Sequence, residues 1–222
     1  MFVTGHDVIK AIRSFPAGSA AGPDGILPQD LLDLITCKEV GQKLASAITP
    51  LVNLLLAGKC PPEVATVLFG GILFALQYRS GRVRPIAIGY AWRRLVAKCA
   101  NNYAVSQLGD TLLPMQLGVA TPGGCDAAVH ATRRYMATMT DDSVLVKLDF
   151  SNAFNCLHRD RILLSYGNAT SLKFGDSTIW SEEGLQQGDP LSTFILFDHP
   201  VDSTVPIQRA GPRIYGSCYT GR

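Results

Sequence analysis

The chain has 222 residues, 47% hydrophobic and 17% charged, which is enough to bury a sizeable core as one or two domains. Its charged content lies below the usual quarter, so the chain does not read as disordered. Twenty basic residues nearly balance 18 acidic ones, so the net charge alone selects no partner.

In chain order, Asp7 is placed to cap a short helix whose apolar residues Val8, Ile9, Ile12 and Phe15 share one face. Residues 16–25 form a loop rich in Pro and Gly. Helical patterns resume over 29–35 and 40–56, and Pro50 predicts a kink or a split in the second. The apolar run 64–76 is too short to span a bilayer and reads as a buried strand. Residues 68–78 and 83–88 predict two strands joined through Arg79-Ser80-Gly81-Arg82, a hairpin with a basic tip. Residues 91–108 predict a basic amphipathic helix. A loop over 114–124 leads to a helix from Asp126 to about Met139, then to a short strand over 144–148 that ends at Asp149. A last hairpin turns at Gly175-Asp176-Ser177. Strands and helices are intermixed without a βαβ rhythm, which predicts an α+β fold.

Between Val64 and Gly109 there is no Asp or Glu, yet Arg79, Arg82, Arg84, Arg93, Arg94 and Lys98 fall there. A one-signed stretch of this kind suits nucleic acid or a nucleoside triphosphate. A solvated basic face is the alternative. The six cysteines form no C-x-x-C pair and have no histidine at zinc-ligand spacing, which reads as reduced thiols in an intracellular protein. The N-terminal residues lack a signal-peptide pattern, and no nuclear-targeting run of Lys and Arg is visible, so nucleus and cytoplasm are not distinguished.

Three segments carry chemistry. In Val-Leu-Val-Lys-Leu-Asp-Phe-Ser-Asn-Ala-Phe-Asn (144–155), a carboxylate ends an apolar strand. A carboxylate fixed in that way is what two-metal phosphoryl transfer needs, with two ions about 3.5–4 Å apart on the attacking and leaving oxygens. Taken alone, Asp149 reads more readily as the cap of a following helix. In Gly-Leu-Gln-Gln-Gly-Asp-Pro-Leu (184–191), Gly188 permits close backbone approach and Gln187 offers both donor and acceptor. An ordinary loop and helix start would read the same way. Arg79 and Arg84 on a hairpin can clamp a triphosphate through bidentate hydrogen bonds, or simply face solvent.

Taken together and in order, five blocks resemble the reverse transcriptases of non-LTR (LINE-like) retrotransposons. They are Ser-Ala-Ala-Gly-Pro-Asp-Gly-Ile (19–26), Arg-Pro-Ile-Ala-Ile-Gly-Tyr-Ala-Trp-Arg-Arg-Leu (84–95), Gln-Leu-Gly-Val-Ala-Thr-Pro-Gly-Gly-Cys-Asp (116–126), Asp-Phe-Ser-Asn-Ala-Phe-Asn (149–155) and Gln-Gln-Gly-Asp-Pro-Leu (186–191). The resemblance implies a right-hand polymerase fold with fingers over 1–142, a partial palm over 143–200 and a diverged tail over 201–222. It implies an RNA-directed DNA polymerase whose partners are an RNA or DNA template-primer and dNTP, with no membrane, and whose cofactor is Mg2+ or Mn2+. By position, Asp149 is similar to the first metal-binding carboxylate, and the Phe150 carbonyl to a further ligand. Phe154 is similar to the aromatic residue under the incoming sugar. Arg79, Arg84, Gln187 and Gly188 are similar to residues of the nucleotide pocket.

The chain departs from the family in two places. The next family block is a strand hairpin with two adjacent aspartates, whereas the only adjacent aspartates here, Asp141-Asp142, precede Asp149. The long helix usual between Asp149 and Gln187 is also missing, because His158 to Leu164 runs directly into Ser165-Tyr-Gly-Asn. Without the second carboxylate block the isolated chain is expected to be inactive. The alternative expectation is a non-catalytic, nucleic-acid-binding remnant of a retrotransposon.

Overall fold

The structure, a computed structural model, describes residues 1–79, 81, 83–119, 121–147, 169–182, 184–187 and 189–190. Among them are six helices and four strands. The described residues of 1–101 and 169–190 belong to one compact unit, and those of 102–147 to a second.

In the first unit, α1 (Gly5–Arg13) starts three residues earlier than expected. Thr4 is the cap. Its hydroxyl accepts from the Asp7 N–H at 3.4 Å, and the Asp7 carboxylate accepts from the Thr4 N–H at 2.8 Å. Asp7 is therefore the reciprocating acid of a capping box rather than the cap itself. These bonds hold its carboxyl below the usual aspartate range.

Helix α2 (Pro28–Thr36) has Pro28 in its first turn, where the missing N–H costs nothing. Helix α3 (Lys38–Leu56) runs through Pro50 without a break, against the expected split. One ladder bond is lost there, but Ala45, Ile48 and Val52 are buried on both sides of the proline and hold the two halves in one helix. The Asn53 side chain bonds both the N–H and the C=O of Val3, at 2.8 and 2.9 Å, and ties the N-terminus to α3. The core draws on Val8, Ile12, Leu31, Ile48, Val52 and Leu95.

The run expected to be one buried strand is divided. Its first part lies in α4 (Pro62–Leu68), where Val64 and Val67 are exposed, and only the remainder forms β1 (Gly71–Gln77). Pro61 and Pro62 preset the backbone for a helix start. The strand begins at two glycines whose backbones are closely approached: a Cβ on Gly70 would lie 2.6 Å from the Ser171 carbonyl oxygen.

Strand β2 (Val83–Gly89) pairs antiparallel with β1, from Gly71 opposite Gly89 to Gln77 opposite Val83. Strand β3 (Thr170–Phe174) runs parallel to β1, and β4 (Ser177–Ser181) closes the predicted second hairpin. The sheet order is β2-β1-β3-β4. A mixed four-stranded sheet with helices makes the fold α+β, as expected.

Helix α5 (Ala91–Leu112) belongs to the first unit up to residue 101. From 91 to 102 every residue is buried or partly buried. It is a central helix over that length, not the amphipathic surface helix that its charges suggested.

The second unit contains the end of α5 and α6 (Gly124–Met136), which starts two residues before Asp126 behind Gly123 in the left-handed region. A Cβ on Gly124 would lie 2.0 Å from the Leu117 carbonyl oxygen, so only glycine fits there. Residues 144–147 are not a strand, and Val144, Leu145 and Val146 are exposed. This corrects the expected strand before Asp149. Among the described residues no strand pairs with this segment, so it has no ladder to hold it extended. No helix among the described residues is long and apolar enough to cross a membrane. The 201–222 tail lies outside the described residues.

Candidate functional site

The β1–β2 hairpin carries the first candidates. Arg79 sits exposed in its turn, next to the bonded bend in which the Gly81 N–H donates to the Tyr78 carbonyl at 2.9 Å. Arg84 is exposed on β2, with its guanidinium 5.1 Å from the Tyr78 ring centroid. The register puts Leu76 opposite Arg84 and Phe74 opposite Ile86, so all four share one face. Leu76, Gln77, Tyr78, Arg84 and Ile86 line a shallow concavity there.

The loop at 184–190 docks on the other end of the sheet. The Gln187 carbonyl accepts from the Ala87 N–H at 3.0 Å, on the outer edge of β2. Gln186 is buried, and its Nε2 donates to the Phe69 carbonyl at 3.3 Å and to Thr170 Oγ1 at 3.1 Å. Its Oε1 accepts from Arg93 at 2.6 Å. Arg93, also buried, donates to the Phe69 carbonyl at 3.0 Å and forms an ion pair with Asp189. Its guanidinium lies 5.4 Å from the Phe69 ring centroid. Two buried charges and a buried amide are thus matched against one another, as burial requires.

The 19–26 loop reaches the same end of the sheet. Asp24 accepts from the Ala91 N–H at 2.8 Å and so caps α5. A Cβ on Gly22 would lie 2.3 Å from the Gly89 carbonyl oxygen, a backbone contact that requires glycine. Arg94 donates to the Ala20 carbonyl at 2.7 Å.

This arrangement changes the meaning of the basic stretch. Arg93 is consumed by its ion pair. Arg94 and Lys98 both stack on the Phe15 ring, at 5.2 and 4.8 Å from its centroid, and Lys98 also donates to the Ser14 carbonyl and hydroxyl at 3.1 Å. Burial lowers the pKa of both, and for Lys98 the neighbouring Arg94 adds to the effect. Three of the six cations are therefore structural, while Arg79 and Arg84 are exposed on the hairpin.

Asp149, Phe150, Phe154 and Gly188 lie outside the described residues. Asp141 and Asp142 occupy an exposed turn, where the Thr140 hydroxyl donates to Asp142 at 2.5 Å and lowers its pKa. Among the described residues no group of three or more His, Cys, Asp or Glu could hold a metal ion. Sequence reasoning did not find Arg93, Gln186 and Asp189 as a unit. Their only sequence signal is that each lies inside a block, with nothing to pair the blocks. No protein-family model matches the chain, and no curated protein matches it.

Proposed function

We propose that the chain is a partial reverse-transcriptase domain of a non-LTR retrotransposon, an RNA-directed DNA polymerase by descent that does not polymerise by itself. One observation carries the reading. Three of the five blocks meet at one end of the sheet, although their contacting residues are as much as 96 positions apart. Asp24 caps the helix that carries Arg93, Arg93 holds Asp189, and Gln187 is bonded to β2. Blocks with unrelated roles would have no reason to converge.

By this reading the Arg79–Arg84 hairpin faces the triphosphate and the loop at 186–189 lines the nucleotide pocket. Magnesium would supply charge neutralisation and an activated hydroxyl, but no residue after Asp149 offers adjacent aspartates to complete its cage. Losing a ligand costs orders of magnitude in a reaction driven by positioning and electrostatics.

A second reading, a nucleic-acid-binding remnant, is favoured by one face of the sheet. The pairing places Phe74, Arg84, Lys173 and Trp180 on the same side, all exposed. Aromatic rings interleaved with cations suit unstacked bases and phosphates.

Sequencing the genomic DNA beyond the Arg222 codon tests the first reading. An aromatic-x-Asp-Asp block is expected in one of the three frames. A coding sequence that continues in frame into an unrelated domain would refute it.

A further inference from the structure

The four described strands contain no Asp or Glu, and their only charged residues are the cations Arg84 and Lys173. The register orders these two with two aromatic rings. Trp180 stands opposite Ser171, two residues before Lys173 on β3. Lys173 stands level with Ile72, two residues before Phe74 on β1. Phe74 stands two residues before Leu76, which is opposite Arg84 on β2. Trp180, Lys173, Phe74 and Arg84 therefore form one diagonal, each one strand across and two residues along from the last. Successive members lie about 8 Å apart, and ring and cation alternate.

All four side chains are exposed, Phe74 by 43% and Trp180 by 60%. The opposite face carries the buried Ala87, Thr170 and Leu172, so that face is the one that packs inward. The Lys173 ammonium donates to Thr178 Oγ1 at 2.7 Å, which draws it toward the strand that carries Trp180. Asp176 and Glu182 lie outside the strands, at the two ends of β4. Phe74, Lys173 and Trp180 fall in none of the five blocks, so the resemblance gives them no role.

We propose that this diagonal binds single-stranded nucleic acid, with bases stacked on Trp180 and Phe74 and phosphates held by Lys173 and Arg84. The inference rests on the nucleic-acid-binding reading, and adds the path of the strand and the form it takes. The alternation selects the occupant. A purely basic face would accept any polyanion. A duplex keeps its base faces inside the stack, whereas an unpaired strand offers π-faces and phosphates in turn. Three steps of about 8 Å span roughly four extended nucleotides, at the lower end of single-strand site sizes.

Fluorescence anisotropy of labelled oligo(U) over a salt series, beside tryptophan emission with unlabelled oligo(U), tests it on the full chain. The wild type is expected to bind at low salt, with quenching of its emission. Trp180→Ala should weaken binding roughly tenfold and leave the salt dependence unchanged. Trp180→Phe should keep the affinity but lose the quenching, because Trp92 packs against the core. Lys173→Ala should reduce the slope of log affinity against log salt by about 0.7. Circular dichroism should be unchanged in all three variants, whose side chains are exposed. A wild type that does not bind oligo(U) would overturn both this inference and the reading beneath it. Binding that Trp180→Ala and Lys173→Ala leave intact would overturn the diagonal alone. So would equal competition by poly(Glu) or by duplex RNA, since charge would then account for the binding without stacking.

Discussion

Arg93 of α5 and Asp189 of the 184–190 loop form a buried ion pair across 96 residues of sequence. It joins the helix at the centre of the first unit to the loop beside β2, and the buried Gln186 amide completes it. A buried pair adds little net stability over an apolar substitute, but breaking it leaves a charge without compensation. Arg93→Met is therefore expected to cost about 3–5 kcal/mol, and the double variant Arg93→Met/Asp189→Leu much less. Urea denaturation followed by circular dichroism measures both. Equal losses in the single and double variants would show that the pair is not the joint described.

Gly22 and Asp24 fix the 19–26 loop by different means. Asp24→Ala removes a helix cap and should cost about 1 kcal/mol. Gly22→Ala drives a methyl into the Gly89 carbonyl, with backbone on both sides, and should cost about 1–3 kcal/mol. Thermal melts of the two variants report the order, with Gly22→Ala the less stable.

Much of the local fold was legible because it rests on patterns that act over a few residues. The helix of Val8 and Ile12, the hairpin with Arg79 at its turn and the turn at Gly175-Asp176 all follow from periodicity and turn chemistry. The site was less legible because charge spacing does not reveal burial. Arg93, Arg94 and Lys98 follow Arg84 in sequence and look like more of the same surface. Phe15, Phe69 and Asp189 draw them inward, and those partners come from distant parts of the chain. Pro50 shows the converse, a local signal for a break that tertiary burial overrides.

Cys99 gives a pH-dependent prediction. It is 2% exposed, and burial, with a contribution from Asp7, raises its thiol to about 11 from an ordinary 9.0. The unfolded chain loses this proton first, so the contribution of Cys99 to stability falls as pH rises from about 9 to about 11. In native protein at pH 8, iodoacetamide should modify the exposed Cys37 and Cys125 and leave Cys99 unmodified. Peptide mass spectrometry reads this directly, and rapid labelling of Cys99 would contradict its burial.

If the hairpin meets nucleic acid, Arg79 and Arg84 supply the free charge that Arg93, Arg94 and Lys98 do not. Filter binding of single-stranded RNA should weaken steeply with salt. The double variant Arg79→Ala/Arg84→Ala should flatten that salt dependence by about two units of slope at most. Lys98→Ala should leave the slope unchanged. An identical slope in the double variant would remove the hairpin from the interface.

The central proposal is descent from a polymerase, with no adjacent aspartates within residues 150–222 to complete an ion cage at Asp149. Primer extension on a primed RNA, with magnesium and then with manganese, tests this most directly. The wild-type chain and Asp149→Ala are both predicted to add no nucleotide. Extension by the wild type that Asp149→Ala abolishes would contradict the claim, because it would require a complete cage.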